Sequence, residues 1–204
     1  MHISEATVVD VRGPITAQRL RLLSLLDSLD GARWAAPTAA PLWRVKDIAL
    51  HLATLDLTEP SSVYWAGAAP LWFDLAREFT ERWVHYRQIR DATCPAADGK
   101  PDEYLPLVLR TFIWGFPHQY SEAAPDGTTI GLLVPGIGDW TLTRAGAGWS
   151  LDEGQATAPA ATLRIGGEAA WRLLTGARYD TSQVRLSGDR ALAEPLLRVR
   201  GIIV

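Results

Sequence analysis

The hydrophobic period of this chain changes once, and the change limits what it can fold into. Up to about residue 116, apolar residues recur at helical spacing; from Thr128 onward, short runs of alternating and β-branched residues replace them. Pro14 suits a first helical turn. Leu20, Leu23, Leu26 and Leu29 then repeat every three residues, with Leu22 and Leu25 widening the stripe, and Asp30-Gly31 offers a glycine stop. A loop with Pro37 and Pro41 leads to a second helix over about 43–57, apolar at Val45, Ile48, Ala49, Leu52 and Leu55. Pro60, Ser61, Ser62, Gly67 and Pro70 break the pattern. A third helix is predicted over 71–92, with Trp72, Ala76, Phe79, Trp83 and Tyr86 along one stripe and Glu81, His85 and Gln88 on another face.

The stretch 96–101 reads as a linker, and 104–116 as a bridging helix. Strands are expected over 128–134, 140–143, 161–165 and 183–186, with helices over 168–174 and 190–197. The expected architecture is a helical unit, residues 1–99, followed by an α+β unit, residues 100–204.

Composition narrows the class. The 204 residues, 48% hydrophobic and 21% charged, suit one globular domain or two small ones. A net charge of −3 provides no basic footprint for nucleic acid or an anionic membrane. No apolar run nears the roughly 20 residues needed to span a bilayer. Residues 1–5 lack the basic and apolar regions of a signal peptide. The expectation is a cytoplasmic enzyme or binding protein for small molecules, with neither nucleic acid nor membrane as partner. Cys94, the single cysteine, excludes an intrachain disulfide and a Cys-rich metal cluster. Nine tryptophans are enough that some should pack in the core or line a pocket.

The candidate chemistry sits in Glu81-Arg82-Trp83-Val84-His85. Residues four apart share a helix face, so both side chains can reach one point. A third nitrogen donor there would complete a two-histidine, one-carboxylate set with open coordination positions, as catalytic zinc sites are built. His51, at the edge of the second helix's apolar face, is the obvious donor. Taken alone, the spacing is also that of an exposed Glu–His pair worth a few tenths of a kcal/mol. The three residues meet only if the two helices pack side by side.

Other positions read more plainly. His118 lies at a loop or helix end, and Cys94 precedes Pro95 with no partner histidine nearby in sequence. Gly136-Ile137-Gly138-Asp139 reads as a turn between strands, without the glycine pattern or following helix of a phosphate loop. Ser187-Gly188-Asp189-Arg190 reads as a strand-to-helix turn with Asp189 near the helix start, and the chain has no Gly-x-Ser-x-Gly elbow.

Several longer stretches resemble one family. Residues 25–29, 34–38 and 43–52 are similar to the first two helices, and the loop between them, of the mycothiol-dependent maleylpyruvate isomerase family; residues 72–85 resemble its metal-bearing last bundle helix. Trp140-Thr141-Leu142, Gly148-Trp149, Ala170-Trp171-Arg172-Leu173-Leu174 and Ser187-Gly188-Asp189 resemble its C-terminal domain. The resemblance implies a DinB-like helical bundle followed by a sterol-carrier-like α+β domain. It also implies a divalent metal, usually zinc, held by His51, Glu81 and His85, and mycothiol as a thiol cosubstrate. Of the 20 basic residues only Lys46 and Lys100 are lysine, a bias that fits the GC-rich actinobacteria that make mycothiol.

The implied activity is isomerisation or S-transfer on a small anionic substrate, the metal lowering the thiol's pKa. A dicarboxylate would need an arginine clamp; Arg77 and Arg82 flank the ligands, and Arg190, Arg198 and Arg200 are candidates from the C-terminal part. The other class weighed is a non-catalytic protein binding a metal or a small hydrophobic ligand. One departure from the family stands out: the stretch 52–80 is too short for the two further bundle helices that relatives carry there. Either a segment between Thr54 and Tyr64 is omitted, or the bundle is shortened. A shortened bundle would leave one side of the site for a partner chain to cover, as in a homodimer.

Overall fold

The computed structural model describes residues 6–40, 42–54, 70–94 and 102–201. Four helices come first: α1 (Arg12–Asp27), α2 (Gly31–Trp34), α3 (Val45–Thr54) and α4 (Leu71–Thr93). Then follow α5 (Leu105–Phe112), a 3-10 turn (Ile113–Gly115) and α6 (Phe116–Gln119). The remainder is β1 (Thr129–Val134), β2 (Gly138–Ala145), β3 (Gly148–Glu153), β4 (Ala161–Ile165), α7 (Gly167–Leu174), β5 (Val184–Gly188) and α8 (Arg190–Ala193), the last running into a 3-10 turn (Glu194–Arg198). The molecule is thus mixed, helical first and α+β after.

The five strands form one sheet in the order β3-β2-β1-β4-β5. β1–β2, β2–β3 and β4–β5 pair antiparallel, while β1 and β4 run parallel, Leu132 facing Leu163. The turn expected at Gly136-Ile137-Gly138-Asp139 joins β1 to β2, with Gly136 in the left-handed region at φ 78°. Asp189 caps α8, its Oδ1 accepting from the Ala191 N–H at 2.8 Å. Gly188 just before it has φ 81°, and a Cβ there would lie 2.2 Å from the Ala160 carbonyl oxygen, so this corner requires glycine.

Three expectations need correcting. Asp30-Gly31 does not stop α1. Ser28 ends that helix, and the Asp30 carboxylate instead caps the next one, accepting from the Arg33 N–H at 2.9 Å. Leu20 and Leu23 point to solvent; the buried edge of α1 is Leu22, with Leu25, Leu26 and Leu29 packed beside it. The predicted bridging helix changes pitch at Ile113–Gly115, before Pro117. Two elements had no counterpart in the sequence reading: α2 and the edge strand β3. The predicted linker, residue 55 onward in the second helix, and the stretch between Thr54 and Tyr64 lie outside the described residues.

Two apolar clusters place the helices. The larger joins Phe73, Phe79 and Trp83 of α4 to Val108 and Phe112 of α5, Trp171 of α7 and the inner face of the sheet. The smaller gathers Leu22 of α1, Val45, Ile48 and Leu52 of α3 and Ile89 of α4. Burying five such side chains stabilises that corner by roughly 1.5–3 kcal/mol apiece before chain entropy is counted. The consequence for function is geometric: α3 is pinned alongside the second half of α4.

Candidate metal centre

His51 follows Ile48 by three residues and precedes Leu52, so docking those two apolar side chains turns the imidazole toward the edge of the α3–α4 seam. On α4, Ile89 anchors the same seam one turn beyond His85, and Glu81 lies one turn before it. Trp83 and Phe79 point the other way into the larger core, as the opposed stripes predict. The outcome is convergence. Ligand atoms of His51, Glu81 and His85 all lie within 4.8 Å of one another, and all three residues are partly buried.

His51 Nε2 is 2.9 Å from Glu81 Oε1. A carboxylate oxygen only accepts, so the ring nitrogen donates. His85 Nε2 is 4.0 Å from the same oxygen, and its Nδ1 is 2.8 Å from Gln88 Oε1. Trp43, just before α3, roofs the pair: its ring stacks nearly parallel to His85 at 6.0 Å and meets His51 edge-on at 5.0 Å. Burial pushes the His85 pKa down, against smaller upward pulls from Gln88 and Glu81, so this imidazole is neutral at pH 7. A neutral imidazole offers a lone pair, which is the form a metal requires.

The donor set fits a small divalent cation. Zinc bonded at about 2.0–2.2 Å to tetrahedral donors separates neighbouring ligand atoms by roughly 3.4 Å. The observed separations from Glu81 of 2.9 Å and 4.0 Å bracket that value, and the three ligand atoms lie within 4.8 Å of one another. Two imidazoles and one carboxylate suit zinc and other first-row divalent ions better than magnesium or calcium, which take oxygen ligands. Among the described residues, the His51–Glu81–His85 cluster could hold a metal ion.

The arginine candidates lie in different settings. On α4, Arg77 Nη1 is 3.6 Å from Asp74 Oδ1, and Arg82 Nη2 is 3.9 Å from Glu78 Oε2. Burial raises the Glu78 pKa, and the Glu81 charge adds to the shift. Arg190, on α8, is exposed and paired to Glu194 at 2.5 Å. Arg198 faces Glu122, and Arg200 donates to the carbonyls of Leu197 and Val199. His118 is exposed on α6, and Cys94 is half-buried at the end of α4, where Thr93 Oγ1 lies 3.8 Å from its sulfur.

Two contributors escaped the sequence reading as parts of the site. Trp43 was seen only as the start of a helix, and Gln88 only as a residue sharing the Glu81/His85 face. The i, i+3 spacing from His85 to Gln88 was the available signal for the second; nothing local signalled the first.

No protein-family model matches the chain, and no curated protein matches it. Among the described residues, no helix is long and apolar enough to cross a membrane.

Proposed function

We propose that this protein is a metal-dependent enzyme that joins a low-molecular-weight thiol, of mycothiol type, to isomerisation or S-transfer on a small anionic substrate. The convergence of His51, Glu81 and His85 across two helices carries the reading. The residue resemblance to the mycothiol-dependent maleylpyruvate isomerase family, with its DinB-like bundle and sterol-carrier-like domain, supports it independently of that geometry.

In this reading the ligand set does the binding. Glu81 brings the one formal negative charge, His85 a neutral imidazole, and His51 an imidazole that exchanges its hydrogen bond to Glu81 for coordination. A bound divalent cation, zinc first among candidates, supplies Lewis acidity that lowers the pKa of a thiol and makes it nucleophilic near neutral pH. The thiol comes from a cosubstrate, which leaves Cys94 with no part in the chemistry. Trp43 walls the cluster from one side, its ring against both imidazoles. Arg77 and Arg82, which flank the ligand Glu81 on the same helix, are the candidate cations for a substrate carboxylate.

The test is metal content of the purified protein, followed by turnover of thiol plus an unsaturated carboxylate. Wild type should hold about one divalent ion per chain, His51→Ala and His85→Ala should not, and turnover should follow the metal. Full occupancy in both variants would sink the assignment. A second reading rests on an apolar pocket lined by Leu109, Phe116, Leu132, Trp140, Leu163 and Leu173, between α5, α7 and the sheet. It would make the protein a carrier of a small hydrophobic ligand, and metal binding without turnover across thiols would favour it.

A further inference from the structure

We infer that Gln88 is a positioning residue, which fixes the proton of His85 on Nδ1 and so turns the lone pair of Nε2 toward the cluster. The inference rests on the cation-site reading above and assigns the residue that prepares one of its ligands. Gln88 is 6% exposed, and its Oε1 lies 2.8 Å from His85 Nδ1. An amide oxygen has no hydrogen to give, so that contact is a hydrogen bond only when Nδ1 carries the proton. A neutral imidazole has one proton to place. With it on Nδ1, Nε2 presents a free lone pair toward the cluster, 4.0 Å from Glu81 Oε1.

The contrast with His51 sharpens the role. There Nε2 donates to the Glu81 carboxylate at 2.9 Å, so its proton faces the cluster and must move before that nitrogen can coordinate. His85 needs no such change: Gln88 has already set the tautomer. The pairing is also local, three residues apart on α4, so it survives shifts of α3 that would disturb His51. A metal-bound histidine usually donates its other N–H to an oxygen acceptor, and losing that acceptor weakens binding by roughly 10–100-fold.

The experiment uses the full-length, metal-free protein labelled with 15N. Imidazole spectra at neutral pH, with His85→Ala identifying the ring, distinguish Nδ1–H from Nε2–H directly. Wild type should show Nδ1–H. Gln88→Leu, and Gln88→Asn whose shorter amide cannot reach, should shift His85 toward Nε2–H and weaken Co2+ binding by roughly 10–100-fold. Gln88→Glu keeps an acceptor in place and should retain both the tautomer and the affinity. Gln88→Asn serves if the leucine variant does not fold. An unchanged Nδ1–H signal in the variants overturns the inference, as does a changed tautomer with unchanged Co2+ affinity. If wild type itself binds no Co2+, the cation-site reading falls, and the tautomer spectra alone decide what Gln88 does.

Discussion

Helix α4 carries two charged clusters on different faces, and they are built on opposite principles. On the face toward α7, Arg87 is 4% exposed and lies 2.8 Å from Glu168 and 3.8 Å from Asp102. Arg172 closes the group, 2.5 Å from Glu168 and 2.7 Å from Asp91. The Arg87 guanidinium also sits over the rings of Trp83 and Trp171, at 5.1 Å and 5.4 Å. This cluster contains its own cations, Arg87 and Arg172, set among Glu168, Asp102 and Asp91. On the other face, the cluster that gathers at one point is two imidazoles and a carboxylate, groups that can each offer a lone pair once the His51 proton has moved. The first arrangement holds the helical part to the α+β part. The second could hold a metal ion. Buried charge by itself therefore does not mark function; the kind of group left at the centre does.

If that division is right, substitutions on the two faces should fail differently. The largest effect is expected from Arg87→Met. It strands Asp102, only 7% exposed, and leaves Glu168 with Arg172 as its remaining guanidinium, and breaking such a buried pair costs about 3 kcal/mol. Thermal unfolding should drop by roughly 6–12 °C for a chain of this size, while the fraction still folded binds metal normally. Next in size is Glu81→Gln, which should weaken Zn2+ or Co2+ binding on the order of 100-fold, more than a supporting residue would. It should move unfolding by less than Arg87→Met does, since a glutamine amide oxygen can still accept from His51 Nε2. Calorimetry on both variants, read for melting and for metal affinity, gives the double dissociation. Equal losses in both quantities for either variant would dissolve the distinction between the two faces.

How much of this was legible in sequence follows from what each feature depends on. The face of α4 that carries Glu81 and His85 was readable because the 3.6-residue period needs no tertiary information. The meeting with His51 was not, because it depends on Leu22, Val45, Ile48, Leu52 and Ile89 choosing one another as neighbours. Periodicity says which side of a helix is buried, never against what. The leucine stripe of α1 shows the same limit: Leu20 and Leu23 fit the pattern, yet the shallower edge at Leu22 is what α3 and α4 cover. β3 was missed because only Trp149 and Leu151 point inward, between Gly148 and an acidic end at Asp152-Glu153. The one alternation is too short to stand out from turn signals. The fold was thus largely readable as a succession of elements, with helices before sheet, and the site only as separate parts.

A smaller effect tests the first face by acid. Burial tends to raise the Glu168 pKa, but hydrogen bonds from Arg87, Trp171 and Arg172 outweigh it and hold the carboxyl at about 2, against an ordinary 4.5. A carboxylate depressed on folding stabilises fully above its unfolded pKa and loses that contribution as pH falls toward the folded value. Stability should therefore decline between about pH 4.5 and pH 2. With 38% of the side chain exposed, solvent screening reduces the contribution to about 1–2 kcal/mol. Chemical unfolding across that range should show the slope in wild type, and Glu168→Gln should flatten it. A slope that persists in the variant would place the acid sensitivity elsewhere than in this network.

The smallest effect concerns the roof of the second face. Trp43 stacks on His85 at 6.0 Å and touches His51 edge-on, yet a third of its surface remains exposed. Its removal takes away no ligand atom. Trp43→Ala should therefore weaken cation binding only as far as it frees the two rings to rotate, about 0.5–1.5 kcal/mol on the scale of aromatic pairs, or roughly two- to tenfold. Trp43→Phe should restore most of it. Tryptophan emission offers a direct readout, since a quenching ion such as Co2+ or Cu2+ bound beside Trp43 dims that ring first. The metal-dependent loss of emission should be largest in wild type and much reduced in Trp43→Phe, although eight other tryptophans remain. If quenching is the same in both proteins, the cation binds away from Trp43, and the lone pairs gathered beneath it are not where the metal goes.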